Sequence, residues 1–249
     1  MKSLHIGDRV LTANGKYEAV YSFGHLHTSL QTDYLRIYTA SEEMAIEMTS
    51  DHMISVSRKG GIDHMIPASM VEIGDHLRSV SLSDEEQQRL RVVRIDRVVG
   101  EGAFAPFTPS GTIVVNGVLA STFVAFSQSD VLGVGVSYQW LGQTFEAPHR
   151  WYCGVFDCTH ETYDEGTGIC TWVYHAWRLA NWMVSLRNEG SALPLLLFGL
   201  MFVGMMWCLL LVWLVDEGGM LLVALLLLGL LRVVHQLLPT VRFHVKPQH

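Results

Sequence analysis

The chain has 249 residues, of which 49% are hydrophobic, and a formal net charge of −7 at pH 7. This length allows one good-sized domain and an additional segment. The acidic balance and the lack of a basic cluster or a Gly-rich phosphate loop argue against a nucleic-acid partner. Most of residues 1–145 have the patterning of a soluble domain, whereas residues 192–238 are almost wholly apolar.

The first 126 residues consist of short strand-like runs separated by turn residues, which predicts a compact all-β domain. An Asn14-Gly15 pair between two apolar runs predicts a hairpin, because both residues tolerate positive φ. Only residues 83–90 have the polar composition of a helix or a loop. The predicted strands are residues 9–12, 17–25, 34–39, 44–48, 53–57, 65–67, 76–80, 91–99 and 112–115.

An internal similarity links the start of the chain to its middle. The run LHIGDRVL at residues 4–11 returns in outline as VEIGDHLR at residues 71–78. Each copy leads into a strand, which suggests a duplicated unit with pseudo-twofold symmetry. The alternative is a chance recurrence of a common turn. Because residues 1–8 reach Gly-Asp before any apolar run forms, we expect the interior of a domain there and no signal peptide.

Thr49 and His52 stand three residues apart, just after the predicted strand at residues 44–48. A hydroxyl and an imidazole at this spacing can converge on one backbone amide. Such a pair can polarise a peptide bond and protonate its departing nitrogen. The alternative is a turn threonine and a surface histidine without a role.

Four ordered motifs resemble the hedgehog-type Hint domain. The segment GAFAPFTPSGTIVVNGVLAS at residues 102–121 is similar to the signature near the end of that domain. The motif IGDRVLT at residues 6–12, TSDH at 49–52 and a second IGD at 73–75 match in the same order. Together the matches span about half of the chain, residues 4–126.

The resemblance implies a horseshoe-shaped, internally duplicated all-β domain that is related to inteins and processes its own polypeptide. In that family a cysteine at the first position attacks the preceding carbonyl to give a thioester. Thr49 would then orient the scissile amide, and His52 would donate a proton to the leaving nitrogen. The substrate would be the upstream polypeptide of the same protein, and no cofactor is implied. In hedgehog proteins a sterol hydroxyl then resolves the thioester.

Three positions depart from the family pattern. Residues 1–152 contain no cysteine, so we expect this chain to be inactive without an upstream cysteine. His25 stands where hedgehog proteins carry an aspartate, which makes sterol transfer doubtful. It could still act as a base toward water or another nucleophile, or it could simply end a strand. Thr122 occupies a cysteine position, either as a hydroxyl near the site or as a neutral replacement.

The cysteines all lie beyond residue 150. Residue types that bind zinc occur at Cys153, Cys158, His160 and Cys170. However, a Cys-x₄-Cys pair with a distant third cysteine lacks the paired spacing of known zinc sites. We therefore expect no metal. A disulfide formed in an oxidising lumen, or free thiols, fits this pattern better.

The C-terminal part predicts membrane attachment. Residues 174–186 have Trp and other apolar residues at helical spacing, which fits either an interfacial helix or a helix packed on the β-domain. Residues 192–215 and 219–238 are each long enough to span a bilayer, with an acidic turn at 216–219 between them. The sequence thus predicts a helical transmembrane hairpin.

The sequence therefore predicts that the chain has four parts. They are a Hint domain at residues 1–126, a Cys- and Trp-rich linker at 127–190, two transmembrane helices within 191–239 and a tail at 240–249. The favoured function is a membrane-anchored, autoprocessing Hint domain in contact with membrane lipid. The alternative is a non-catalytic membrane protein that uses the fold as an interaction module. We expect a multi-pass protein of the secretory pathway or cell surface, although positive residues flanking the hairpin would place both termini in the cytoplasm.

Overall fold

The structure is a computed structural model that describes residues 1–40, 45–58, 61–80, 89–125, 136–188 and 191–237. Several predictions from the sequence lie outside these residues. They are Met44 of the strand at residues 44–48, most of the polar segment at 83–90, the boundary after residue 126, residue 238 and the tail at 240–249.

The described part of the N-terminal half folds into strands and one short 3-10 helix, Ala68–Met70. Strands β1 and β2 form a hairpin around Asn14-Gly15, as the sequence predicted. The strands are β1 (Arg9–Leu11), β2 (Tyr17–Ala19), β3 (Ser22–Thr39), β4 (Ile46–Met48), β5 (His52–Ser57), β6 (His64–Pro67), β7 (His76–Arg78), β8 (Arg89–Phe107), β9 (Thr112–Val115) and β10 (Val118–Val124).

The remaining strands form one antiparallel sheet in the order β4-β3-β8-β7-β5-β10-β9, with β6 paired to β5. Its longest feature is the β3–β8 ribbon, which pairs Ser22 with Phe107 at one end and Thr39 with Val92 at the other. The sequence predicted two separate strands within β3. Register shifts along the ribbon let the polar stretch between them pair as well.

The internal repeat is visible in two matching turns. Gly7 and Gly74 have φ of +93° and +101°, which favour glycine. The Gly7 and Gly74 amides donate to the carbonyls of Val20 and Val92 at 2.8 and 2.9 Å. In return, the amides of Val20 and Val92 donate to the carbonyls of Asp8 and Asp75 at 2.8 Å.

Two apolar clusters form the core. In the first, side chains from six strands are at most 2% exposed; they include Ile37, Ile54, Val56, Leu77 and Val92. The second is built on Met53, Phe107 and Phe123, with Tyr138 and Val173 packed against it. Because the last two residues lie beyond the β-domain, the second cluster attaches the helical part to the sheet.

The described residues after the sheet form three helices, α1 (Tyr138–Val155), α2 (Thr171–Asn188) and α3 (Ala192–Leu237). The Ser137 hydroxyl caps α1 by accepting from the Trp140 amide at 3.1 Å. Gly142 lies in this helix, where a Cβ would come 2.6 Å from the Phe123 ring. Glycine therefore permits close packing of α1 on β10, and does not mark a loop.

The structure differs from the predicted transmembrane hairpin, because α3 continues for 46 residues without a turn. Residues 216–219 are helical. Asp216 accepts from Arg150 Nη2 at 2.6 Å and from Trp151 Nε1 at 3.0 Å, so its charge is compensated against α1. Each helical glycine costs only about 1 kcal/mol, which the long apolar helix tolerates.

Among the described residues, one stretch is long and apolar enough to cross a membrane, the 27 residues Ala192–Gly218 of α3. Little of it is covered by the rest of the chain. Its exposed side chains include Leu193, Leu200, Val203 and Trp207.

Candidate functional site

Thr49 and His52 lie on the tight turn between β4, which ends at Met48, and β5, which begins at His52. The His52 amide donates to the Thr49 carbonyl at 3.2 Å. This turn brings Thr49 Oγ1 within 3.0 Å of His52 Nδ1. Both side chains are half-buried, so part of each remains accessible at this turn.

The turn is fixed by backbone hydrogen bonds to distant segments. The carbonyl of Ser50 accepts from the Ser69 amide at 2.8 Å, and that of Asp51 accepts from the Ala125 amide at 2.8 Å. His52 is also paired with Val124 of β10. The T-x-x-H pair therefore sits on a rigid scaffold, as a catalytic pair must.

His25 lies on β3, where it pairs with Ala105 of β8. Its Nε2 is 2.5 Å from the carbonyl oxygen of Thr167. A carbonyl only accepts, so Nε2 carries the proton and Nδ1 is left as the basic nitrogen of the neutral ring.

The two histidines and Asp51 are close enough for their charges to interact. Burial, and then repulsion from His25, lower the pKa of His52, while the Asp51 carboxylate acts in the opposite direction. Burial also lowers the pKa of His25, against the hydrogen bond to Thr167 and the attraction of Asp51. Both imidazoles are therefore held neutral near pH 7. The predicted residues Thr49, His52 and His25 thus share one region of the structure.

The residues that hold His25 belong to a segment that the sequence assigned to a linker. Residues 163–170 turn back on themselves, with Tyr163 bridged to Cys170. This segment runs along the edge of β3 opposite to β8. Its Cys170 amide donates to the Gly24 carbonyl at 3.0 Å, and its Gly168 carbonyl accepts from the Leu26 amide at 2.8 Å. The only local signal for it was the turn-forming composition around Gly166 and Gly168.

The cysteines take both of the states that the sequence allowed. Cys153 and Cys158 form a disulfide, while Cys170 and Cys208 are free. Burial raises the pKa of the Cys170 thiol to about 11, with a smaller contribution from Glu161. A protonated, buried thiol is a poor nucleophile. Thr122 is 2% exposed, and its hydroxyl has no hydrogen-bond partner among the described residues.

A buried acidic and imidazole cluster lies beside the sheet. His149 of α1 contacts Glu146 through Nδ1 at 2.9 Å and Glu161 through Nε2 at 2.5 Å. Burial alone would lower the pKa of His149, but these two carboxylates raise it to about 9. Ser22 of β3 donates to Glu161 at 2.5 Å, which ties the cluster to the sheet. Sequence reasoning missed this cluster because the helix and turn that bring its imidazole and carboxylates together lie in the segment that it assigned to a linker.

Comparison with known proteins assigns the fold family. The family model described as "Hint module" matches residues 1–156. The hedgehog protein of Drosophila virilis is 30% identical over 153 residues, covering 59% of this chain and 31% of that protein. The hedgehog protein of Drosophila ananassae is 32% identical over 152 residues, covering 58% and 31% respectively. The aligned part thus spans about a third of the length of these relatives.

Among solved structures, that of a gp41-1 intein variant is 15% identical, covers 49% of this chain and 85% of its own, and has a TM-score of 0.38. Because this TM-score is low, the assignment rests on the family model and on the hedgehog matches. The ordered motifs predicted the same family. The chain belongs to the Hint family, and its β-rich part is a hedgehog-type Hint domain.

Proposed function

We propose that this domain performs protein autoprocessing, cleaving the peptide bond that joins it to a preceding polypeptide. The observation that carries the proposal is the 3.0 Å contact between Thr49 Oγ1 and His52 Nδ1 beside the His25 imidazole. The nucleophile would be the thiol of a cysteine at the first position of the Hint domain, upstream of Met1, since residues 1–152 contain no cysteine.

The first step forms a C–S bond between the thiol and the scissile carbonyl and breaks the C–N bond of the peptide. His52 first takes the proton that the thiol loses and then, as the imidazolium, gives it to the departing nitrogen. When Nδ1–H donates to the Thr49 hydroxyl oxygen, Nε2 is the basic nitrogen of the neutral ring, and it can carry the proton from the thiol to the leaving group. The lowered pKa of His52 makes its protonated form a stronger acid.

In the second step, water or another hydroxyl attacks the thioester carbonyl, which forms a C–O bond and breaks the C–S bond, and the leaving thiolate takes up a proton. His25 supports this step as a base through Nδ1, because its Nε2–H is anchored on the Thr167 carbonyl. A carbonyl acceptor here orients the ring and stabilises the imidazolium that forms, the role that a carboxylate has in a serine hydrolase triad. Sterol as the attacking hydroxyl remains the less favoured choice, because His25 replaces the family's aspartate.

The test uses a longer chain in which a reporter domain and a Cys-led first Hint strand precede Met1. With dithiothreitol, this chain should release the reporter as a thioester that mass spectrometry locates at the residue before the cysteine. A matched chain with alanine in place of that cysteine should stay intact. A folded, Cys-containing chain that does not cleave would contradict autoprocessing and favour the non-catalytic interaction module.

We further propose that α3 anchors the domain in a membrane. At 1.5 Å rise per residue, Ala192–Gly218 measures about 40 Å, which is enough for a hydrocarbon core of about 30 Å. The end of α1 beside Asp216 also exposes apolar side chains, Tyr152 at 55% and Phe156 at 58%. Aromatic residues at that level suit the lipid headgroup region.

Liposome flotation tests the anchor. The intact chain should float with vesicles even in high salt and alkaline carbonate, which remove peripheral proteins. A chain ending before Ala192 should stay in the soluble fraction. Equal flotation of the shortened chain would contradict anchoring by α3. The Cys153–Cys158 disulfide supports a compartment of the secretory pathway, where such bonds persist.

A further inference from the structure

Four side chains of the types that bind zinc converge where α1 ends. His149, Cys153, Cys158 and Glu161 present ligand atoms that all lie within 4.8 Å of one another. His149 and Cys158 are each 6% exposed, so the cluster is largely closed to solvent. The autoprocessing mechanism uses none of these residues.

The local structure explains the convergence. His149 and Cys153 are four residues apart on α1 and therefore project from one face of the helix. The helix ends at Val155, and the chain turns back to bring Cys158 and Glu161 against that face. The Glu161 Oε1 atom is 2.5 Å from His149 Nε2 and 3.7 Å from Cys153 Sγ.

A buried carboxylate already orients the imidazole. Glu146 Oε2 lies 2.9 Å from His149 Nδ1, which leaves Nε2 directed toward the two sulfurs and Glu161. Metal-binding histidines commonly have this arrangement, a carboxylate on one ring nitrogen and the ion on the other. Glu146 is 1% exposed, and its other oxygen has no hydrogen-bond partner among the described residues. The negative charge of two carboxylates that face one imidazole favours binding of a cation at this cluster.

We propose that the reduced form of this cluster binds one zinc ion through His149 Nε2, the thiolates of Cys153 and Cys158, and the Glu161 carboxylate. Binding releases the two thiol protons and the proton that His149 Nε2 shares with Glu161. Oxidation to the Cys153–Cys158 disulfide instead passes two electrons and two protons to a disulfide oxidant, and it removes two ligands. Zinc and the disulfide are therefore mutually exclusive states of one site. These four ligands differ from the four residues considered in the sequence analysis, since His149 and Glu161 replace His160 and Cys170.

The geometry requires little rearrangement. Tetrahedral zinc with sulfur at about 2.3 Å holds its two thiolates about 4 Å apart, so the sulfurs need only separate when the disulfide is reduced. The Cα atoms of the two cysteines are 5.4 Å apart, which allows such a separation by side-chain rotation.

The test uses the full chain in detergent, stripped of metal and reduced with a phosphine. Cobalt(II) then serves as a probe, because thiolate ligands give a charge-transfer band and tetrahedral geometry gives strong visible bands. We expect one cobalt per reduced chain, displaced by one zinc. The oxidised wild-type chain should bind neither ion at this stoichiometry. Because its sequence is identical to that of the reduced sample, it is the matched control.

Variants assign the ligands. His149→Gln and Cys158→Ser should abolish stoichiometric binding, whereas Glu146→Gln should keep the thiolate band and weaken affinity about 10–100-fold. Cys208→Ser, His160→Gln and Cys170→Ser should bind as wild type does. Zinc should also protect Cys153 and Cys158 from iodoacetamide. Binding by the oxidised chain, lack of binding by the reduced chain, or an unchanged affinity in Cys158→Ser would each overturn the proposal.

Discussion

Gly168 packs so closely on His27 that a Cβ built on this glycine would lie 2.5 Å from the His27 Cβ. The same Cβ would be 3.0 Å from the Leu26 carbonyl oxygen, and Gly168 has φ of +73°. Gly168 is therefore required where residues 163–170 dock on β3, next to the contact of His25 with Thr167.

Gly168→Ala should release this segment from β3. We expect faster amide hydrogen exchange at residues 24–26 and 163–170, because the clash and the positive φ both oppose docking. The His25 pKa should rise toward its ordinary value, since burial is the main cause of its lowering. Gly166→Ala is the matched control, because its Cβ would meet no atom closer than 3.7 Å. Equal exchange in the two variants would show that the segment is not docked.

The neutral histidines give the fold a defined pH dependence. The pKa values of His25 and His52 are lowered in the folded state, so below about pH 6.5 the unfolded chain binds more protons than the folded one. The free energy of unfolding should therefore fall as pH decreases from about 7 to about 5. Urea unfolding should show a smaller fall in His52→Asn than in wild type. Exposed His160→Asn is the control, and an unchanged slope in His52→Asn would contradict the burial argument.

The repeated turns predict similar costs at two distant positions. Gly7→Ala and Gly74→Ala should each destabilise the domain by about 1–3 kcal/mol, because the added Cβ strains a positive φ while meeting no atom within 4 Å. Gly154→Ala should instead stabilise helix α1 by up to about 1 kcal/mol. Denaturant melts measure all three changes. A large cost at only one of the two turns would argue against their equivalence.

The ion pair of Arg150 with Asp216 should hold α3 against α1. Both side chains are largely buried, at 14% and 18% exposure. Asp216→Asn should weaken the contact by about 2 kcal/mol, the usual scale for hydrogen bonds to charged groups. Since Trp151 also donates to Asp216, its fluorescence should shift in this variant. A double-mutant cycle with Arg150→Gln should give a coupling energy; additive effects would mean that the two residues act independently.

Local features of the site could be predicted from the sequence, and distant ones could not. Thr49 and His52 share one turn, so their spacing indicated that the hydroxyl and the imidazole could converge on one point, and the two side chains lie 3.0 Å apart. The Thr167 carbonyl stands 142 positions from His25, and only the folded chain reveals their contact. The resemblance to the Hint family predicted the fold, because the motifs that carry the resemblance lie on the turns and strands that build the sheet.

The sequence interpretation was wrong at residues 216–219. The Gly218-Gly219 pair after two acidic residues suggested a turn, yet these residues lie in α3. The charge of Asp216 is compensated by Arg150, 66 positions away. Composition carries no information about such partners.

The rate of dithiothreitol-induced cleavage in the Cys-extended chain tests the central claim most directly. His52→Ala should lower this rate about 10²–10⁴-fold, the usual contribution of a general acid. Asp51→Asn should lower it far less, because this carboxylate acts only through its charge on the two imidazoles. Far-ultraviolet circular dichroism would verify that both variants are folded. Equal rates in His52→Ala and the parent chain would contradict the assignment of His52 as the proton donor.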